Sequence, residues 1–454
     1  TKILKEVALY LAEGGDQITI VCNQRSDNKK IFKLHQNVTV MPIFRFRETY
    51  PNPYNTTPYN LASNEDILYR LSLKHNILFI FDTDFIFTDM FKHLPILYSL
   101  RDYIYPEALQ GAFLIRRGDV IVNSQFVKDS FLATAGRFYP GLKNRIHLIP
   151  NGIDTNRFSK KPYSKLKKVI KISKNDSPVL LYPHRPGLEK GIYEALALTE
   201  KLVKQYGFKQ TKLLVPRGVD EIINPQVGVF YDNVIVEAKK KKILANILFH
   251  PWISPQLMPE YYSLGTITLC LGNIVEAFSN AALESLACGT PVIAAKVASY
   301  RTIIPDEHIF KIAHGDTEAA AKTIAELVKN KNRQDMGKAR EFIKKNFNTE
   351  TMCRQYRKLL HSQKIKPAVE FNPEATNIRA TDTFSLSPWS CLTLKGIYND
   401  YTKTYDKNKK LISLFKALNK DFFNLKEAKK QGISRKEIIR LLDQNVIIKE
   451  SYII

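Results

Sequence analysis

A chain of 454 residues exceeds what one hydrophobic core usually organises, so its length predicts two domains and an additional segment. The apolar fraction of 44% and the charged fraction of 25% are typical of a folded protein and exclude a largely disordered one. A formal net charge of +24 favours anionic partners, among them sugar nucleotides, anionic lipid head groups and nucleic acid.

The lengths of the apolar runs and the spacing of the cysteines bear on the cellular location of the protein. No run approaches the roughly 18 to 20 apolar residues that a membrane helix needs, and the five cysteines are scattered without the CxxC spacing of a zinc site or a disulfide framework. The sequence opens at Thr1 without the basic start and apolar core of a signal peptide. These patterns predict a cytoplasmic protein, with peripheral binding at the inner face of a membrane as an open alternative.

Alternating helical and strand-like patterns follow one another in chain order. Residues 3–11 have the apolar spacing of a helix, and residues 17–22 form a β-branched strand pattern. Further strand-like runs are found at 38–43, 77–81, 120–123, 146–149, 179–182, 212–216, 234–236, 247–250, 266–271 and 291–294. This alternation predicts an α/β fold with two Rossmann-like domains, residues 1–165 and 166–365, whose strand ends face a ligand cleft.

Residues 366–454 have a different pattern. Residues 366–399 are polar and contain three prolines, which predicts a linker or strap. In residues 400–454, Asn424 with Glu427 and Ser434 with Glu437 form two capping-box patterns that precede short helices, followed by a β-rich end. The sequence predicts a basic, winged-helix-like appendage that takes no part in the chemistry of the cleft.

Two motifs carry candidate chemistry in the second domain. Glu276 stands in a loop, Ser279 or Asn280 is a natural N-cap for the helix that follows, and Glu284 lies about one turn inside that helix. The free N–H groups and positive dipole of a helix start suit a diphosphate. In a turn after residues 179–182, Arg185 and Lys190 form a basic pair.

Together these motifs resemble the Glu-x7-Glu and Arg-x4-Lys-Gly elements of the retaining GT-B glycosyltransferases of family GT4. The resemblance covers residues 1 to about 360. The strand and the Gly-rich loop with which members of this family usually open are not present in the sequence before Thr1. It implies a metal-independent transfer of a sugar from a nucleotide diphosphate, most simply a UDP-sugar, without a further cofactor. The acceptor would be a glycan, a lipid-linked sugar or a protein, in cell-surface glycan or glycoconjugate synthesis.

The resemblance also implies roles for individual residues. Arg185 and Lys190 would hold the diphosphate, Glu276 the donor sugar and Glu284 the ribose hydroxyls. Asp102 is a candidate on the acceptor side, although an Asp in this position is equally typical of an N-cap. The remaining candidates for donor binding are Phe278, Ser279, Asn280 and, as a wall for the base, His250. For His184, structural packing is favoured over contact with the donor.

Several alternatives stay open at the level of sequence. The glutamates also fit a solvated helix surface, and an epimerase or a phosphorylase could use a similar scaffold. A hydrolase would need two carboxylates that flank the scissile bond, which this pattern does not suggest. Asp82 and Asp84 match the Asp-x-Asp sequence of a metal-binding GT-A motif. Residues 52–60 are compatible with either an acceptor loop or a plain surface loop. Finally, the basic tail leaves nucleic acid open as a partner.

Overall fold

The first domain places two β-sheets next to each other. The computed structural model describes residues 2–25, 28–45, 57–81, 88–104, 106–218, 225–329, 336–372, 377–418 and 420–453. The helices of this domain are α1 (Lys2–Glu13), α2 (Pro58–Ser72), α3 (Pro106–Leu114) and α4 (Gln125–Phe131). Its strands are β1 (Ile18–Asn23), β2 (Phe32–His35), β3 (Val38–Phe44), β4 (Leu78–Phe81), β5 (Ile96–Leu100), β6 (Asp119–Val122) and β7 (Ile146–Leu148). One sheet has the order β1-β3-β2, and the other is the parallel sheet β4-β5-β6-β7.

The second domain is built on a single parallel sheet. Its helices are α5 (Ile192–Lys204), α6 (Pro225–Lys240), α7 (Met258–Leu264), α8 (Asn280–Ala287), α9 (Thr317–Lys329), α10 (Met336–Asn346) and α11 (Thr349–His361). Its strands are β8 (Val179–Leu181), β9 (Lys212–Arg217), β10 (Ile247–Pro251), β11 (Ile267–Cys270), β12 (Val292–Ala295) and β13 (Phe310–Ile312). They are arranged in the order β10-β9-β8-β11-β12-β13. The strand order therefore changes direction between β8 and β11.

One predicted strand of this domain is wrong. Residues 234–236 lie inside α6, where Tyr231, Val234 and Ala238 are buried and Val236 is exposed. The buried positions are three and four residues apart, which is the spacing of one helix face. Three β-branched or apolar residues in a row are too short a pattern to distinguish a strand from a turn of helix.

The prediction of a linker at 366–399 is also wrong for its second half. Strands β14 (Thr383–Leu386), β15 (Ser390–Thr393) and β16 (Gly396–Asn399) lie within it. They are followed by β17 (Thr404–Asp406), α12 (Lys409–Leu418), β18 (Phe422–Asn424), α13 (Leu425–Lys430), α14 (Arg435–Asp443) and β19 (Ile447–Lys449). Antiparallel sheets form in the orders β18-β14-β19 and β15-β16-β17.

We call residues 377–453 the C-terminal unit. Because its central strand β14 precedes the helices in the chain, the unit begins well before residue 400, where the appendage was predicted to start. The polar composition misled the prediction, because Phe384, Trp389 and Tyr398 are buried and so are the polar residues Ser387 and Ser390 between them. These strands are only four residues long and mix Ser, Thr and Asn with apolar residues, so their composition resembles that of a loop.

Segments from the C-terminal part of the chain pack onto the first domain. Helix α11, which falls within the predicted second domain, buries Met352 and Tyr356 against α1 and β5. Trp389, Tyr398 and Tyr452 of the C-terminal unit share a hydrophobic core with the strands β5 and β6. Helix α11 and the C-terminal unit, which follow the strands of the second domain in the chain, thus pack against the first domain.

Candidate active site

The candidate site lies where the sheet of the second domain changes direction. Strands β8 and β11 are parallel neighbours, and the next strands along the chain, β9 and β12, lie on opposite sides of this pair. In open α/β sheets, ligands bind in the crevice outside the carboxyl ends of the strands at such a change of direction. The loop after β8 carries Arg185 and Lys190, and the loop after β11 carries Glu276.

Two glycines bring these loops into direct contact. Gly191 has a left-handed φ of 87°, and a Cβ on Gly191 would lie 2.5 Å from the backbone nitrogen of Gly272. A Cβ on Gly272 would lie 2.1 Å from the carbonyl oxygen of Glu189. That carbonyl accepts hydrogen bonds from the backbone N–H groups of Asn273 and Ile274 at 2.9 and 3.0 Å. Only glycine permits this approach, which sets the position of the neighbouring Lys190.

Lys190 and Glu276 form an ion pair across the two loops. The Nζ atom of Lys190 lies 2.8 Å from Oε2 of Glu276, and about a quarter of each side chain is exposed (26% and 24%). Arg185, by contrast, is exposed, and within the described ranges no ion pair is found for it. A cation held in place and a second, accessible cation near the same crevice can both approach a bound anion.

Helix α8 begins at the edge of this crevice. Ser279 is its N-cap and accepts a hydrogen bond from the N–H of Ala282, while its Oγ also pairs with the hydroxyl of Tyr300. Phe278 is buried beneath the helix start, and Asn280 is exposed. The sequence predicted Ser279 or Asn280 as the cap, and the structure identifies Ser279.

Glu284 lies one turn inside α8 and meets a residue of the first domain. Its Oε1 is 3.2 Å from Nζ of Lys2 in α1, and its Oε2 accepts a hydrogen bond of 3.2 Å from the hydroxyl of Tyr262. Burial raises the pKa of the Glu284 carboxyl, although Lys2 and Tyr262 act in the opposite direction. Sequence analysis identified neither partner, because both contacts depend on the docking of separate helices.

Asp102 faces the same crevice from the first domain. Asp102 is exposed, yet partial burial by the surrounding protein raises the pKa of its carboxyl, and the negative charge of Glu276 adds to this effect. The positive charges of Arg101 and Lys190 oppose it. Asp102 is therefore near enough to both members of the Lys190–Glu276 pair for their charges to act on it.

A further polar link joins the two domains beside Asp102. Arg101 is buried and donates to the side chain of Asn151, whose Nδ2 donates to Oδ1 of Asn280 at 3.3 Å. Asn151 belongs to a turn for which the sequence predicted a structural role and no part in the site. This contact depends on the tertiary structure and could not be found from a local motif, since Asn151 and Asn280 are 129 residues apart.

Two histidines of this domain are neutral and packed. Burial, together with the charge of Lys190, lowers the pKa of His184 to about 4, and its Nε2 contacts the carbonyl of Leu269 at 2.7 Å. Burial also lowers the pKa of His250 to about 4; its Nδ1 contacts the carbonyl of Pro251, and its ring packs near Tyr261. Both of these partners, Pro251 and Tyr261, lie outside the set of candidates for donor binding.

Two negative findings concern metals and membranes. Of the residues that the structure describes, no three or more His, Cys, Asp or Glu side chains come close enough together to hold a metal ion. Asp82 and Asp84 lie outside those residues, as do positions 52–56 of the candidate acceptor loop. Within the same part of the chain, every helix is too short or too polar to cross a bilayer.

A known protein family matches the part of the chain that forms most of the second domain. Residues 164–348, which include β8 to β13 and α5 to α10, match the family described as Glycosyl transferases group 1. A D-inositol 3-phosphate glycosyltransferase of Xylanimonas cellulosilytica is 26% identical over 185 residues. That match covers 38% of this chain and 40% of the relative, so the chain spans less than half the length of the curated relative it matches.

Solved structures resemble the fold over a larger part of the chain. Sucrose-phosphate synthase from Thermosynechococcus elongatus superposes with a TM-score of 0.62 at 19% identity and covers 78% of this chain and 91% of its own. HepE of Anabaena in complex with UDP gives a TM-score of 0.59 at 15% identity, covering 76% of this chain and all of its own. The α/β fold thus resembles GT-B glycosyltransferase structures, as the sequence predicted. Together with the family match, it supports a glycosyltransferase.

Proposed function

We propose that the chain is a retaining glycosyltransferase of the GT4 type that transfers a sugar from a nucleoside diphosphate to a hydroxyl group of an acceptor. The observation that carries the proposal is the Lys190–Glu276 ion pair at the change of strand direction, beside the start of α8. A nucleoside diphosphate needs cations, free N–H groups and a carboxylate that can accept from sugar hydroxyls. All three chemistries meet in this crevice.

In the proposed reaction the bond between the anomeric carbon and the diphosphate oxygen breaks. The acceptor oxygen bonds to the same face of that carbon, and the proton of the acceptor hydroxyl leaves with the diphosphate. Negative charge grows on the leaving group, so Arg185, Lys190 and the N-terminus of α8 stabilise the transition state more than the ground state. No metal ion is required for this step.

The carboxylates have separate roles in this scheme. Glu276, held by Lys190, accepts hydrogen bonds from the donor sugar, and Glu284 accepts from the ribose once Lys2 gives way to it. Asp102 holds the acceptor hydroxyl from the opposite wall of the cleft. A carboxyl group with a raised pKa is a stronger hydrogen-bond acceptor when ionised, which suits this task.

Different observations support the proposed donor and the proposed acceptor. HepE, whose fold is similar, is described in complex with UDP, so UDP-sugars are the first donors to test. The positive net charge favours an acceptor with anionic character, such as a lipid-linked glycan at the inner face of a membrane. A cytoplasmic location and a role in glycoconjugate synthesis are part of this proposal.

The test is a donor screen followed by product analysis. Binding of UDP-, GDP- and ADP-sugars is measured by calorimetry with and without EDTA, and nucleotide release is then followed with and without acceptors from cell extract. Release that depends on acceptor, with the anomeric configuration retained by NMR, supports the proposal. Equal release without acceptor would indicate a hydrolase, and isomerised donor without release would indicate an epimerase. Binding of nucleic acid in place of any sugar nucleotide would favour the nucleic-acid alternative.

A further inference from the structure

One turn of the C-terminal unit reaches the candidate site from outside both domains. Residues 399–403 connect β16 to β17, and we call them the bridging turn. The side chain of Asn399 accepts hydrogen bonds from the N–H groups of Tyr401 and Thr402 at 3.0 and 3.1 Å. Lys403 has a left-handed φ of 59° and donates its N–H to the carbonyl of Asn399. Local bonds therefore fix the shape of the turn before it contacts anything else.

Asp400 connects the bridging turn to Glu276. Its side chain is fully buried, pairs with Arg301 and accepts a hydrogen bond of 3.1 Å from the N–H of Ala298. Ala298 has a φ of 46°, which is unusual for a residue other than glycine and requires support from its surroundings. The next residue, Ser299, donates its N–H to the carbonyl of Glu276 at 3.2 Å. Asp400 thus holds the backbone segment that holds Glu276.

Tyr401 connects the same turn to the first domain. Its hydroxyl donates a hydrogen bond of 2.6 Å to the carbonyl oxygen of Tyr103, the residue that follows Asp102. Tyr103 is itself buried, and its hydroxyl pairs with Thr134. The backbone that carries Asp102 is therefore anchored on one side by the bridging turn.

Lys403 connects the turn to the basic loop. Its Nζ atom forms an ion pair with the carboxylate of Glu189, the residue that precedes Lys190. Both side chains are partly exposed, so this pair contributes little to global stability. The ion pair is instead important for where it lies. The carbonyl of Glu189 accepts hydrogen bonds from the loop that leads to Glu276, so Lys403 contacts the residue that connects the two loops.

We propose that the bridging turn positions Glu276, Asp102 and Lys190 relative to one another and so sets the geometry across the cleft, which makes Asp400, Tyr401 and Lys403 positioning residues. This inference rests on the proposed function of the same site. Each contact acts on a neighbour of a candidate residue and not on that residue's own functional group. Since displacements on the order of 1 Å can change a rate about 100-fold, three such contacts from one rigid turn are enough to matter.

These contacts argue against the expectation that the C-terminal appendage takes no part in the chemistry of the cleft. That expectation was based on the absence of a catalytic motif after residue 400. The structure places Asp400, Tyr401 and Lys403 against the site through hydrogen bonds and an ion pair. Removal of residues 400–454 would remove all three contacts.

The experiment uses two mild variants of the full chain, Tyr401→Phe and Lys403→Gln, singly and together. The matched controls are Tyr206→Phe and Lys420→Gln, which remove a hydroxyl bond to Glu318 and an ion pair to Glu427 away from the cleft. We expect kcat to fall about threefold to tenfold in each single variant and further in the double variant. The melting temperature and the dissociation constant for free UDP should stay near those of the wild type. The controls should leave all of these values unchanged.

A second measurement does not depend on turnover. Asp400→Asn keeps an oxygen to accept from Ala298 but removes the charge that pairs with Arg301. Hydrogen exchange of the backbone amides at 273–276 and 298–299 should become faster in this variant, while the amides of α5 should not change. Retained kcat in the Tyr401 and Lys403 variants, or unchanged exchange at those amides in the Asp400 variant, would overturn the inference. A wild-type chain that binds no sugar nucleotide would instead overturn the proposed function, and the exchange measurement would still test the turn.

Discussion

The second domain and the C-terminal unit contribute to the candidate site in different ways. In the second domain, Lys190 and Glu276 lie 86 residues apart, but each stands in a local pattern of strand, turn and helix that puts it at the end of a neighbouring strand. In the C-terminal unit, Asp400 acts through the backbone of Ala298, 102 residues away, and no local pattern marks either residue. Local sequence patterns thus mark the candidate residues of the site, whereas the residues that support them are brought there by the packing of distant segments.

The largest effect is expected when the core of the C-terminal unit is damaged. Phe384 is fully buried, and its ring packs 5.6 Å from that of Phe423. Phe384→Ala should lower the free energy of unfolding by about 3–5 kcal/mol, the usual cost of a large cavity. Chemical denaturation followed by fluorescence measures this, with Ile439→Ala, an exposed site on α14, as the control.

This variant also tests whether the two regions are independent. If the C-terminal unit supports the cleft, transfer activity should be lost at a lower denaturant concentration than in the wild type, together with the unfolding of the unit. Activity that persists after the C-terminal unit has unfolded would show that the second domain suffices.

The next effect concerns the cations of the second domain. Lys190→Ala and Arg185→Ala should each lower kcat/KM about 100-fold, because one preorganised charge stabiliser is lost in each. Lys201→Ala is a matched control, since Lys201 forms an ion pair with Glu318 at 2.7 Å on the outer surface. Steady-state kinetics with saturating acceptor measure the effect. Full activity in either cleft variant would contradict the assignment of the diphosphate site.

The two glutamates should divide binding from turnover. Glu276→Ala should lower kcat about tenfold or more, because the donor sugar changes most in the transition state. Glu284→Ala should chiefly raise the dissociation constant for UDP, on the order of tenfold, since a ribose contact is shared by ground and transition states. Calorimetry with UDP and initial rates at saturating donor separate the two effects. The same change in both parameters for both variants would contradict this division.

Sequence patterns predicted the architecture well where a pattern is long or repeated. Most predicted strands of the two domains are present, and the α8 cap and the Lys190–Glu276 loops are where the motifs placed them. The predictions at 234–236 and in the second half of 366–399 were wrong. In the first case three residues were too few to define a period. In the second case the strands are only four residues long and rich in Ser and Thr, so their sequence resembles a polar loop.

Parts of the candidate site were beyond sequence analysis for a related reason. Lys2 and Tyr262 contact Glu284 only because α1 and α7 pack beside α8. His250 was selected because it ends a strand, but the strand turns its ring into the protein. The direction of a side chain and the docking of a distant helix are set by tertiary packing, which a single motif does not contain. The roles of the residues in catalysis remain predictions.

The smallest expected effect is that of removing a helix N-cap. It allows a direct comparison, because a side chain caps a helix in both the second domain and the C-terminal unit. Ser279 caps α8 in the second domain, and Asn424 caps α13 in the C-terminal unit with both bonds of a capping box. Ser279→Ala and Asn424→Ala should each lower the free energy of unfolding by about 1 kcal/mol, the usual cost of a lost N-cap. Only Ser279→Ala should also weaken UDP binding, since it loosens a helix start that faces the proposed diphosphate, whereas the start of α13 lies outside the cleft. Denaturant melts and calorimetry on both variants measure the two quantities. Equal loss of UDP affinity in both would mean that the helix start in the second domain has no special relation to the donor, and that cap loss acts on binding only through stability.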